Sequence, residues 1–426
     1  MRKNILLPWS KELRYIIREI VELANKVWEK KEIFWENIWD PVNKWEKIPD
    51  WMKDIVKSAC DIDEVYGYCP TRWLDKTLEY IISKNPRLTK NDILFFNWIW
   101  DAINKIYKAL AFDSRIIGPN PAYPTHSSTE AAHAGSFHIT YRLNPNNNWY
   151  PDMEELENKI KYNPNVVWIL VINPDNPTWV VFPKEIMQKF VDLCKKYNLF
   201  LIVDEIYEKL TFKEEDKVCL ADIIGDVPWI SMKWISKDLP WPGARCGWIE
   251  VYNADKDKNF RKYVDTLLAL KMVEVCSTTL PQYVLPKIYE SQDYKNYLKD
   301  RISKYKKRAD LAEEILKDSE ELKIIKPKWT FYLTVLFNKI DKNKEINISD
   351  KELEQLVNEK IDKNTRFDEK FCYNLLAETW VCVVPLSWFN SDYDGFRMTL
   401  LEEDEEKFIK IVKLIKDFAK RYKTVS

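Results

Sequence analysis

Three side chains stand out by type and position: Asp204 and Tyr207 in Asp-Glu-Ile-Tyr, and Lys237 in Ile-Ser-Lys-Asp. Asp204 and Tyr207 come directly after the apolar run 199–203, and Lys237 after the strand-like stretch 227–236. A lysine amine can condense with an aldehyde, and a carboxylate can keep a ring nitrogen protonated so that the ring accepts electrons. These are the demands that pyridoxal phosphate makes of a protein, and Lys237 and Asp204 fit them. Taken singly, an aspartate after a strand also serves as a helix cap or turn former, and a loop lysine as a solvated charge. Their combination and order point to the cofactor.

Such groups need a scaffold that carries them to one edge. Residues 166–172 are an unbroken apolar run, as a strand buried on both faces requires. Pro183 then opens a helix whose Ile186, Met187, Phe190, Val191 and Cys194 share one stripe, with Asn198 as its stop. With 199–203 as the next strand, this βαβ rhythm predicts an α/β fold with an open, mostly parallel sheet and ligand groups just past the carboxyl ends of its strands. Upstream, 11–31 reads as a charged amphipathic helix, and helical spacing dominates from 55 to 111. Downstream, 294–316 reads as a long connecting helix, followed by a mixture of short strands and helices. The expected organisation is an N-terminal arm and part of a small domain in 1–52, a large cofactor-binding domain in 53–293, and a connecting helix with the rest of a smaller α+β domain in 294–426.

Composition removes other classes. The 426 residues carry 66 Lys and Arg against 67 Asp and Glu, so there is no electrostatic case for nucleic acid as a partner. The start Met-Arg-Lys-Asn-Ile-Leu-Leu-Pro-Trp has too short an apolar stretch for a signal peptide or a membrane span, and the expected location is the cytoplasm. Eight cysteines without a Cys-x-x-Cys pair or a nearby histidine lack zinc spacing and read as reduced, mostly buried thiols.

Over nearly its whole length the chain resembles the fold type I pyridoxal-phosphate aminotransferases of the aspartate and alanine aminotransferase class. Asn-Pro-Asp-Asn-Pro-Thr-Trp at 173–179 is similar to the family's Asn-Pro-Thr-Gly turn. Asp-Glu-Ile-Tyr resembles its Asp-x-x-Tyr, 234–248 its lysine signature, and Phe-Arg-Met-Thr-Leu its substrate-clamping arginine strand. The resemblance implies roles residue by residue. Lys237 would carry the cofactor as a Schiff base and, once displaced, shuttle a proton, which needs a lowered pKa. Asp204 would pair with the ring nitrogen, His126 would support that aspartate, Tyr207 and Asn176 would hydrogen-bond the phenolic oxygen, and Tyr123 would stack on the ring. Arg245 and the backbone amides of Trp98, Ile99 and Trp100 at a helix start would bind the phosphate, and Tyr68 would reach the phosphate of a neighbouring subunit. Arg397 would take the substrate α-carboxylate, with Asn176 and the backbone of Trp39 nearby. The resemblance implies a homodimer that moves an amino group between an amino acid and a 2-oxo acid by a ping-pong route. The same fold also runs β-elimination and decarboxylation, and an inactive, cofactor-free relative is the reading outside the enzymes.

One departure is systematic. The chain has 19 Trp and 7 Gly, where usual usage of about 7% would give roughly 30 glycines. Tryptophan stands where the family has glycine at 39, 73, 98, 179, 234, 329, 380 and 388, and in glycine-type contexts at 45, 100, 149 and 229. Changes of this kind at ~1–3 kcal/mol each, a dozen times over, would exceed a typical stability of roughly 5–15 kcal/mol. The abundance of Lys, Ile and Asn suggests an AT-rich gene, and some bacteria with such genomes read UGA as glycine where others read it as tryptophan. The pattern predicts glycine at these sites in the cell, whereas Trp35, Trp51, Trp241 and Trp248 look ordinary.

Overall fold

In the structure, a computed structural model, the described residues are 17, 19–29, 31–37, 40–44, 46–70, 72–212, 218–325, 327–329 and 331–423. Their strands, in chain order, are β1 (Phe34–Trp35), β2 (Ile93–Phe96), β3 (Arg115–Asn120), β4 (Thr140–Asn144), β5 (Tyr150–Pro151), β6 (Val166–Ile172), β7 (Phe200–Asp204), β8 (Trp229–Trp234), β9 (Gly247–Tyr252), β10 (Leu322–Ile324), β11 (Tyr332–Phe337), β12 (Val381–Cys382), β13 (Val384–Pro385) and β14 (Gly395–Thr399). Eight of them form one sheet in the order β2-β9-β8-β7-β6-β3-β4-β5. The expected mostly parallel α/β sheet is present, with antiparallel pairing only where β9 meets β2 and β8 and where β5 meets β4.

The central strands are parallel because helices return the chain across the sheet. The helix Lys184–Tyr197 buries Met187, Phe190, Val191 and Cys194 and ends on Asn198 in the left-handed conformation. That ending draws the Leu199 N–H back onto the Cys194 carbonyl at 2.9 Å, so β7 begins one residue later than the apolar run suggests. The burial of β6 at six of its seven positions explains why its sequence shows no alternation.

The parallel order has a direct consequence for chemistry. β3, β6, β7 and β8 are consecutive neighbours running the same way, so the segments after Asn120, Ile172, Asp204 and Trp234 emerge at one edge. β9 runs against β8 and starts at that edge, just after Arg245, and β2 ends there, just before the helix Ile99–Lys108.

A second, four-stranded sheet has the order β10-β11-β14-β13. Residues 381–385, continuous apart from Val383, divide between two partners: β12 lies parallel to β1, whereas β13 pairs with β14. The β1–β12 pairing ties the N-terminal segment to the C-terminal one. The long helix expected over 294–316 is present as Gln292–Leu316. The described part of the first helix, Glu19–Trp28, ends earlier than the expected 31.

Candidate active site

Asp204 closes β7, and its Oδ2 lies 3.0 Å from His126 Nε2 with both side chains buried. His126 comes from the helix Pro124–Ala134 that follows β3, which is why a contact spanning 78 residues of chain forms at one sheet edge. Tyr123 precedes that helix, its ring set edge-on to His126 at 6.4 Å. From the segments after β6 and β7, the Asn176 amide donates to the Tyr207 hydroxyl at 3.5 Å.

Lys237 lies three residues beyond the end of β8, in the turn that leads to Arg245 and β9. Its ammonium is 5.3 Å from the centre of the Tyr207 ring. Burial, and next the positive charge of Arg397, lower its pKa to about 7, against the pull of Asp204 in the other direction. The loop is held from the connecting helix, where Arg301 donates to the Lys237 carbonyl at 2.7 Å and to both Glu46 oxygens at 2.8 and 3.2 Å.

Arg397 sits on β14, opposite Thr334 of β11 and Val384 of β13. It is 2% exposed, and it donates to Asn176 Oδ1 at 3.0 Å and to the Asn37 carbonyl at 2.8 Å. Its Nε and both polar atoms of the Asn37 side chain are buried without hydrogen-bond partners. Among the described residues no carboxylate forms an ion pair with it. A buried guanidinium in that condition calls for an anion.

The donor set fits pyridoxal phosphate: a buried amine with a lowered pKa, a carboxylate braced by an imidazole, a hydroxyl and an amide side by side, and a guanidinium with an unused donor. Arg245, at the amino end of β9, is partly buried, and burial lowers its pKa. Trp98 is the N-cap of the helix Ile99–Lys108, Ile99 is its first residue and Trp100 its second, so the three stand at a helix N-terminus as expected. Two tryptophan rings, however, lie against the Arg245 guanidinium, Trp98 at 3.9 Å and Trp234 at 5.8 Å. A cavity of about 430 Å³ elsewhere, lined by Tyr80, Glu205, Lys233, Trp248 and Glu250, involves none of the residues of this cluster.

Tyr68 stands apart, 84% exposed, and Trp39 lies outside the described residues. Two further contributors escape sequence reasoning. Asp175, fully buried, accepts the Thr178 N–H at 3.0 Å and its hydroxyl at 2.5 Å, which fixes the turn that presents Asn176; burial pushes its carboxyl up to about 7. Arg301 is the other. In sequence Asp175 reads as an ordinary turn former and Arg301 as one charge among many on a long helix.

The pattern of the family "Aminotransferase class I and II" matches residues 43–410. An uncharacterised aminotransferase of Methanocaldococcus jannaschii is 50% identical over 416 residues, 96% of each chain. A glutamate-pyruvate aminotransferase of Escherichia coli is 26% identical over 343 residues, 79% of this chain and 78% of its own. Among solved structures, an alanine aminotransferase from Pyrococcus furiosus superposes with a TM-score of 0.83 at 23% identity, covering 97% of this chain and 98% of its own.

Proposed function

This chain belongs to the aminotransferase class I and II family and is a transaminase, and on that footing we propose that it works with pyridoxal 5′-phosphate held at the edge where Lys237, Asp204 and Arg397 converge. The observation that carries this reading is the buried Lys237, its pKa lowered to about 7, beside an Arg397 without a carboxylate partner among the described residues. When bound, the cofactor supplies the electron sink that lets an amino acid lose its Cα proton.

Each protein group then has a task. With the cofactor bound, Asp204, braced by His126, would keep the ring nitrogen protonated, Tyr207 and Asn176 would hydrogen-bond the phenolic oxygen, and Tyr123 would pack on the ring. Arg245 and the first amides of the helix that Trp98, Ile99 and Trp100 begin would take the phosphate, where the helix dipole favours an anion. Arg397 binds the substrate α-carboxylate through a guanidinium fork, next to Asn176 and the backbone around Trp39. The Lys237 amine, uncharged in an appreciable fraction near neutral pH, would take the proton from the substrate Cα and hold it for redelivery. Tyr68 reaches the phosphate of the neighbouring subunit in a cytoplasmic homodimer. Among the described residues no helix is long and apolar enough to cross a membrane.

The substrates are an amino acid and a 2-oxo acid. The glutamate-pyruvate relative makes alanine, glutamate and their keto acids the first pairs to test. Incubating the native protein with each amino acid and a panel of 2-oxo acids should yield the new amino acid in step with loss of the donor. Release of keto acid and ammonia without an amino-acid product, or of carbon dioxide, would replace transfer with elimination or decarboxylation.

A further inference from the structure

Two independent marks divide the tryptophans of the described residues. The first is in the backbone: Trp73, Trp98, Trp149, Trp179 and Trp380 have φ of 68°, 95°, 60°, 64° and 62°, a region where a Cβ crowds the main chain and glycine is at ease. Trp98, at φ 95° and ψ 156°, occupies a conformation found almost only in glycine. Trp380 is the left-handed residue that closes the helix Phe367–Thr379, its N–H on the Leu376 carbonyl, which is where helices most often place glycine.

The second mark is chemical. The indole N–H groups of Trp98, Trp149, Trp229, Trp234 and Trp329 are buried without an acceptor, although a buried indole ordinarily finds one. Trp28, Trp35, Trp51, Trp168, Trp241 and Trp248 carry neither mark, so size and burial alone do not produce them. Trp100 and Trp388 also carry neither, and the Trp388 indole donates to Glu369 at 2.6 Å. The marked residues all fall among those whose sequence context asks for glycine, and the four that look ordinary in sequence are ordinary here.

We propose that the polypeptide its source organism makes carries glycine at 73, 98, 149, 179, 229, 234, 329 and 380, inserted at a UGA codon that its genetic code assigns to glycine. The consequence for the site rests on the cofactor reading above. Glycine at 98 and 234 removes both rings that lie against Arg245 and leaves its guanidinium and the amides of the adjoining helix start able to meet a phosphate. Glycine at 179 removes the indole stacked at 4.6 Å on Tyr332, whose ring also lies under the Arg397 guanidinium.

Three measurements test this. Peptide mass spectrometry of the native protein should show glycine at all eight sites, with UGA in the gene; tryptophan in those peptides, or UGG codons, overturns the proposal. Two recombinant chains, one with tryptophan and one with glycine at the eight sites, are then melted without cofactor. The glycine chain should unfold at a temperature higher by roughly 10 °C or more, whereas Trp168→Gly, at an ordinary site, should lower it; an equal or lower midpoint for the glycine chain counts against the proposal. Finally, both chains are dialysed after loading with pyridoxal phosphate and the retained absorbance is read. Retention by the glycine chain alone is expected. A glycine chain that is stabilised and yet retains nothing would leave the glycine assignment standing and remove the cofactor reading.

Discussion

Lys237 sits in a balance of charges that sets both its chemistry and its effect on stability. Burial and Arg397 lower its pKa from 10.5 to about 7, so between those values the unfolded chain holds more protons than the folded one, and stability rises with pH across that window. The penalty of the buried charge is complete below about pH 7 and gone above about 10.5. Lys237→Met should therefore stabilise the cofactor-free protein at pH 6 by on the order of a few kcal/mol and hardly at all at pH 10.5, as urea midpoints at the two values would show. The same variant should lose amino transfer by at least ~10²–10⁴-fold, the usual share of a positioned proton carrier. Arg397→Lys keeps the charge but not the planar fork. Loss of one charge-assisted hydrogen bond, ~1.5–3 kcal/mol, should raise KM for the amino acid by about 10- to 100-fold with a smaller change in kcat. Both variants are to be made in the glycine-bearing chain, where the phosphate end is open.

At the scale of elements, the site depends on loops whose positions are set from outside the sheet. Lys237 stands three residues past β8, and Arg301 holds its carbonyl from the connecting helix while pairing with Glu46. Arg301→Leu breaks a buried ion pair and leaves Glu46, 14% exposed, without its partner. It should cost about 3–5 kcal/mol in a denaturant titration and loosen the lysine loop, seen as faster proteolysis near 237. This dependence explains what the sequence could and could not disclose. Asp204, Tyr207 and Lys237 announce themselves because each ends or follows a strand whose apolar run is visible locally. The neighbour order of β3, β6, β7 and β8 then gathers them at one edge, as the βαβ rhythm implies. Arg301 is silent because its partners are 64 and 255 residues away. Asp175 is silent because its letter does not say that its carboxylate turns inward. The split of 381–385 between β12 and β13 is invisible for a similar reason, since the two halves answer to different partner strands.

At the scale of the whole molecule, the groups gathered at the sheet edge come from one chain, whereas Tyr68, at 84% exposure, faces away from that chain's interior. If the protein works as a homodimer in which Tyr68 completes the phosphate site next door, defects in Tyr68 and Lys237 must complement each other across subunits. A chain with Lys237→Ala supplies a good tyrosine and a dead site; a chain with Tyr68→Ala supplies a good lysine and a poor tyrosine. In a hybrid dimer the second chain's site then has its own lysine and its neighbour's intact tyrosine. Such hybrids, purified by two affinity tags, should show about half of the unaltered dimer's turnover with unaltered cofactor affinity, since one of two sites is whole. The Tyr68→Ala homodimer should release cofactor more readily, because a charge-assisted hydrogen bond worth roughly 1.5–3 kcal/mol is missing from both sites. If Tyr68 instead served its own chain, neither site of the hybrid would be whole, and the hybrid would retain the weakened affinity of the Tyr68→Ala homodimer. A single monomeric species in sedimentation would exclude the cross-subunit role of Tyr68 and confine each active site to the residues of one chain.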